Sequence, residues 1–125
     1  FTKKILQGEA IDRYGDGSTA RDYTFVEDII SGVLSTIDYS AKDFDIFNLG
    51  GSATTTLAEL IAMLEKTIGK EAIINQMPDQ PGDVPRTFAD VSKAEKTLGY
   101  HPNTPIAEGL KKYVEWFRAK HPKLG

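Results

Sequence analysis

The sequence predicts a small α/β domain, with three short strands set among four or five helices. Three observations carry that expectation. Short runs with the two-residue alternation of strands stand between longer runs whose apolar residues recur at helical spacing. Glycines fall just past the ends of the helical runs, where a left-handed residue is wanted. The 125 residues are 40 % hydrophobic and 26 % charged, an ordinary balance for one domain with a modest core spanning residues 1–125.

Residues 2–7 read as the end of a helix, with Ile5 and Leu6 inward and Gly8 as its stop. The run AIDRY, Ala10–Tyr14, alternates like a strand. Gly15-Asp16-Gly17 is turn chemistry, and RDYTF after it looks extended. VEDIISGVLSTIDY reads as a helix with Val26, Ile29, Ile30, Val33 and Ile37 along one side and Glu27 and Asp28 at its positive end. DIFNLG, Asp45–Gly50, is a strand candidate closed by Gly50-Gly51. A second amphipathic helix follows, with Leu57, Leu60, Ile61, Leu64 and Ile68 on one face, a capping box from Thr56 and Glu59, and Gly69 as its end. AIINQMP, Ala72–Pro78, is the third strand candidate. Residues 79–88 form a loop braced by Pro81 and Pro85 around Gly82-Asp83. A short helix follows with Asp90 or Ser92 as its cap and Gly99 as its stop. HPNTP links it to a last helix capped by Thr104, with Pro105 in its first position and Ile106, Leu110, Tyr113, Val114 and Phe117 as its apolar stripe.

Composition removes several function classes. Net charge is -3, with Lys+Arg 15 against Asp+Glu 18, which is the wrong balance for a general nucleic-acid binder. There is no cysteine, so disulfides and thiolate metal sites are excluded, and the two histidines, His101 and His121, each precede a proline outside any ligand spacing. No run approaches the about 18 apolar residues of a membrane span, and none has the layout of a signal peptide. A cytoplasmic protein without membrane contact is the expectation. The chain opens on Phe1 in what reads as mid-helix, so the expectation is also a fragment of a longer protein.

No catalytic set stands out. There is no GxGxxG before a helix, and none of the five tyrosines is followed four residues later by lysine. What remains is an anion-binding pattern. Arg21 follows a glycine turn, while Asp83 and Arg86 share a proline-braced loop. Two arginines from separate loops could clamp a diphosphate, Asp83 could accept from sugar hydroxyls, and Tyr14 could lie against a base. Plainer roles stand beside these. Arg21 could pair with Asp22 or Glu27 on a solvated face, Tyr14 could be ordinary packing, and Asp83 could simply form the turn.

Three stretches carry a family likeness. YGDGSTARDYTFVEDI, FNLGGSATTTLAEL and PGDVPRTFADVSKAEKTLGYHPNTPIAEGL occur in the order found in extended short-chain dehydrogenases/reductases, and together they cover essentially the whole chain. The chain most resembles the C-terminal, substrate-binding region of the UDP-glucuronate 4-epimerases in the NAD-dependent epimerase/dehydratase branch. That resemblance implies an isomerase whose Rossmann domain, with NAD and the catalytic residues, lies upstream and is missing here. It implies that Arg21 contacts the nucleotide diphosphate, Tyr14 lies near the uracil with Asp12 offering backbone contact, Asp83 reaches the ribose hydroxyls, and Arg86, at a position that varies among family members, is a further substrate contact. Asp22 would order the turn or fix the arginine. The implied partners are a UDP-sugar, the chain's own Rossmann domain and a second copy of the whole enzyme, since such epimerases often dimerise. Related dehydratases and decarboxylases of nucleotide sugars, and a non-catalytic α/β interaction module, are the alternatives.

Overall fold

The computed structural model describes residues 1–124. Five helices and four short strands follow in the order α1 (Thr2–Gln7), β1 (Ala10–Tyr14), β2 (Ala20–Arg21), α2 (Val26–Ser35), β3 (Thr55–Thr56), α3 (Leu57–Ile68), β4 (Ile73–Met77), α4 (Ser92–Leu98) and α5 (Ile106–Lys120). They make two two-stranded sheets. In one, β1 runs parallel to β4 from Ala10↔Ile73 to Tyr14↔Met77; in the other, β2 lies antiparallel to β3. The fold class is the small α/β arrangement the sequence predicts.

The helix ends form where local chemistry asks for them. The capping box of α3 is complete: Thr56 Oγ1 accepts from the Glu59 amide at 3.2 Å, and Glu59 Oε2 accepts from the Thr56 amide at 2.8 Å. Those bonds from Thr56 hold the Glu59 carboxyl below its ordinary range. Gly8, Gly69 and Gly99 close α1, α3 and α4 at φ 72°, 78° and 65°, which a side chain would oppose.

Packing divides into two clusters. Ile5 of α1, Ile11 of β1, Ile61, Leu64 and Ile68 of α3 and Val114 of α5 form the larger core. Val91, Ala94 and Tyr100 form the smaller, with Phe47, Leu49, Ala89 and Leu98 against it.

Four local expectations are corrected. Neither Asp90 nor Ser92 holds the N-cap position of α4: Val91 does, with no side-chain cap bond, and Asp90 Oδ1 accepts from the Ser92 amide at 3.0 Å one residue further out. Asp45–Gly50 is not a strand: it has no ladder partner among the described residues. Its alternation survives, because Phe47 and Leu49 pack on the smaller core while Phe44 and Ile46 face outward. Lys93 fixes it to α4 instead, donating to Ile46 O at 2.8 Å and pairing with Asp45.

Helix α2 ends at Ser35, short of Tyr39, where the hydroxyls of Ser31, Ser35 and Thr36 donate back to carbonyls three or four residues earlier. Its apolar side also faces away from the core. Asp28 and Gly32 are buried and Ile29 is half-buried, while Val26, Ile30 and Val33 are exposed, as is Ile37 just beyond the helix end. Gly32 is the inward residue because a Cβ there would sit 2.7 Å from Leu49 Cδ2 and 2.9 Å from Tyr100 Cδ2.

Thr104 does not cap α5 through its side chain; Pro105 holds the N-cap position and α5 begins at Ile106. Thr104 instead donates its amide and its hydroxyl to the buried Asp28 carboxylate, both at 3.1 Å. A carboxylate on α2 thereby anchors the entry to α5.

Candidate functional site

The glycine turn and the proline-braced loop, far apart in sequence, are stitched together at Ala20. The Ala20 amide donates to Pro85 O at 2.8 Å, and the Thr87 amide donates to Ala20 O at 3.1 Å, forming a parallel bridge between Ala20 and Arg86. The turn itself is held by an Asx bond, the Ser18 amide donating to Asp16 Oδ1 at 2.8 Å. Hydrogen bonds from Ser18 keep the Asp16 carboxyl below its usual range. Gly17 takes φ 89°, and a Cβ there would lie 3.2 Å from Ala58 Cβ. The turn therefore lies directly on the start of α3. Its carbonyls accept from that helix: Leu57 N donates to Thr19 O at 2.9 Å and Ala58 N to Gly17 O at 3.0 Å. With Glu59 N on Thr56, the first amides of α3 are occupied. No anion cradle is left at that helix end.

This stitching sets Arg21 beside Asp83, 62 residues away. One guanidinium nitrogen is paired with the Asp83 carboxylate, and Nη1 donates to Ala20 O at 2.8 Å. The pair lies at the edge of a cleft of about 310 Å³ lined by Tyr14, Ser18, Thr19, Asp79, Gln80, Asp83 and Pro85. That volume is at the lower end of small-ligand sites. The Arg21 side chain is 26 % exposed and Asp83 44 %, so both are within reach of a ligand. Burial raises the Tyr23 phenol above its usual pKa; Arg21 opposes that rise and Asp83 adds to it, which places Tyr23 in the same electrostatic neighbourhood.

Of the residues singled out in the sequence, Tyr14 and Asp83 line one cleft, and Arg21 joins them through its pair with Asp83. Arg86 is close in backbone, but its guanidinium lies over the Phe88 ring, 5.5 Å from the centroid. Asp12 belongs to the face of the β1–β4 sheet, accepting from Asn75 Nδ2 at 2.7 Å with Lys4 at 3.6 Å. Asp22 does not touch Arg21. Its carboxylate accepts from the Gly51 amide at 2.8 Å, the Ala89 amide at 3.4 Å and the Thr24 hydroxyl at 3.2 Å, which joins three loops.

Sequence reasoning missed Ser18, Thr19, Asp79 and Gln80. Ser18 and Thr19 lie between the glycine turn and Arg21, and Asp79 and Gln80 open the proline-braced loop, so the loops rather than single residues held the signal. Among the described residues, no group of three His, Asp or Glu side chains is placed to hold a metal ion, and no helix is long and apolar enough to cross a membrane.

Comparison with known proteins puts the chain in the extended short-chain dehydrogenase/reductase class, in its epimerase/dehydratase branch. The chain belongs to the GDP-mannose 4,6 dehydratase family, whose description matches residues 1–113. It is 46 % identical over 119 residues to an uncharacterised protein of Methanocaldococcus jannaschii, covering 94 % of this chain and 36 % of that one. It is 35 % identical over 141 residues to UDP-glucuronate 4-epimerase 2 of Arabidopsis thaliana, covering 100 % of this chain and 32 % of that one. Among solved structures, it resembles a variant of UDP-glucuronic acid 4-epimerase from Bacillus cereus in complex with UDP-4-deoxy-4-fluoro-glucuronic acid and NAD. The TM-score there is 0.86 at 30 % identity, covering 96 % of this chain and 38 % of that one. The chain thus spans about a third of the length of the curated relatives it matches.

Proposed function

We propose that this chain is the C-terminal, nucleotide-sugar-binding part of an NAD-dependent UDP-sugar 4-epimerase that interconverts UDP-glucuronate and UDP-galacturonate. The observation that carries the reading is the meeting of Arg21 and Asp83 at the edge of a cleft that also holds Tyr14. A guanidinium offers a planar fork to phosphate oxygens, a carboxylate accepts from vicinal hydroxyls, and a phenol ring offers a flat face to a base. Those are the three parts of a nucleoside diphosphate. The names of the relatives supply the sugar and the reaction.

The chemistry of epimerisation is assigned elsewhere. This chain has no glycine-rich dinucleotide turn, and the first amides of its longer sheet-side helix, α3, are already bonded. These residues do not fit NAD, which we assign to polypeptide preceding Phe1. Two features support such a partner domain. The outward apolar face of α2, with Val26 61 % and Ile30 49 % exposed, lies in the same part of the chain as Phe44 and Ile46, 77 % and 68 % exposed on an extended segment that lacks a ladder partner among the described residues. The role of this chain is then grip: it holds the nucleotide handle so that the sugar meets the cofactor in one geometry. A homodimer of the whole enzyme and a cytoplasmic location belong to the same proposal.

The family description favours one second reading, a nucleotide-sugar dehydratase. Incubation of the full-length protein with NAD and, in parallel, UDP-glucuronate, UDP-glucose or GDP-mannose separates the two. Formation of UDP-galacturonate from UDP-glucuronate supports the epimerase; a 4-keto-6-deoxy product from a hexose whose C6 hydroxyl can leave as water supports the dehydratase; no conversion of any of these nucleotide sugars sinks both.

A further inference from the structure

Both walls of the cleft leave from one end of the β1–β4 sheet. Tyr14 ends β1 and leads into the turn that carries Ser18 and Thr19; Met77 ends β4 and leads into the loop that carries Asp79 and Asp83. One step back from that end, Arg13 and Gln76 stand opposite each other across the two strands. Side chains alternate along a strand, so this pair lies on the side of the buried Ile11, and Tyr14 lies on the other.

The pair is bonded as a unit. Arg13 donates from Nε and Nη2 to Gln76 Oε1, at 3.0 and 2.6 Å. With the oxygen so occupied, the Gln76 amide nitrogen is turned toward three carbonyls, Gly15 O at 2.5 Å, Met77 O at 2.9 Å and Arg13 O at 3.2 Å. It has two hydrogens for the three, and the shorter distances fall to Gly15 and Met77, the carbonyls at the roots of the two walls. The Gly15 amide adds its own bond to Met77 O at 3.2 Å. Arg13 also lies under the turn, since a Cβ on Gly17 would sit 3.5 Å from Arg13 Cδ. At their far ends the walls meet in the bridge between Ala20 and Arg86. Neither Arg13 nor Gln76 lines the cleft.

On this basis, and resting on the nucleotide reading above, we propose that Gln76 is a positioning residue for the ligand. Its amide ties Gly15 to Met77 and so sets how far apart the two walls stand where Tyr14 enters the cleft. The Arg13 fork holds that amide in the orientation the tie requires. Arg13 thus acts through Gln76, not as a charge for the phosphates.

The test is calorimetric titration of UDP into the full-length protein, with urea unfolding of the same samples. Gln76→Met keeps the length, adds no charge and removes the donor and the acceptor. Arg13→Lys keeps the charge and removes the fork. Each is expected to weaken UDP binding about three- to ten-fold, the size of one net hydrogen bond. The double variant is expected to bind no more weakly than Gln76→Met alone, because the two residues act as one unit. A pair that only stabilised the sheet would shift the urea midpoint and leave the UDP affinity of the folded protein as it is. If wild type binds UDP and Gln76→Met binds it equally well, the positioning role is overturned while the nucleotide reading stands. Full affinity in Arg13→Lys, or losses that add in the double variant, overturns the part given to the fork. If wild type does not bind UDP, the nucleotide reading falls and the positioning role with it.

Discussion

Arg21 and Asp22 are neighbours whose side chains do different work. The guanidinium reaches the cleft edge, while the carboxylate turns to the Gly51 and Ala89 amides and holds loops together. Substitutions should separate these roles. Asp22→Ala leaves part-buried amides without an acceptor and should cost about 1–3 kcal/mol of stability. Arg21→Ala removes only a half-exposed ion pair and should cost under about 1 kcal/mol. Urea unfolding of both variants checks the contrast, and an Arg21→Ala protein as unstable as Asp22→Ala would contradict it. Gly50 is part of the same knot. A Cβ there would lie 2.6 Å from Ala89 Cβ and 2.8 Å from Asp22 Oδ2, so Gly50→Ala should destabilise by about 1–3 kcal/mol through overpacking alone. In the sequence, Gly50-Gly51 reads only as a turn. The close approach of Asp22, 29 residues earlier, is what requires glycine, and nothing local announces it.

At the scale of elements, two carboxylates tie helices to their surroundings. Asp28 anchors the entry to α5 through Thr104. Asp28→Ala should lower stability by about 2 kcal/mol with an unchanged denaturant slope, because the Thr104 amide and hydroxyl lose a charged acceptor. Asp45 ties residues 39–46 to α4. Its hydrogen bond with Lys93, with further bonds from Tyr39 Oη and the Ile46 amide, holds its carboxyl well below the usual aspartate range. A depressed folded value means stability that is present above the ordinary aspartate pKa and is lost as pH falls toward the folded one. Wild type should therefore exceed Asp45→Asn in urea midpoint at neutral pH, and the gap should narrow as the solution is acidified. A gap that widens with acid would reverse the sign of this account.

Elements were legible where their causes are local: the α3 capping box, the glycine stops and the Ala10–Tyr14 strand are written in adjacent residues. The facing of α2 was not. Periodicity locates an apolar stripe, but it does not say on which side of the helix the chain's own core will lie.

For the whole molecule, the decisive contacts join distant segments. The β1–β4 register and the Arg21–Asp83 pair link residues more than 60 positions apart. One sequence read by local pattern carries no direct signal of such pairings. The residue types of the cleft were readable, yet their assembly depended on the bridge at Ala20. The unpartnered α2 face also sets an expectation for the 125 residues alone. They should bind a hydrophobic dye such as ANS in the native state, and should lose that binding when joined to the polypeptide that precedes them in the full-length protein; dye binding unaltered by that joining would contradict a docking role. The same 125 residues should give no turnover of UDP-glucuronate with added NAD, because they hold no dinucleotide turn. The central claim is that Arg21 is a phosphate contact, and titration of UDP into the full-length protein and its Arg21→Ala variant tests it most directly. The account predicts a loss of about 1.5–3 kcal/mol, roughly 10- to 150-fold in affinity, with NAD binding unchanged and only partial recovery in Arg21→Lys, which restores charge without the fork. Equal UDP affinity in wild type and Arg21→Ala would contradict it and return Arg21 to the role of a surface ion pair.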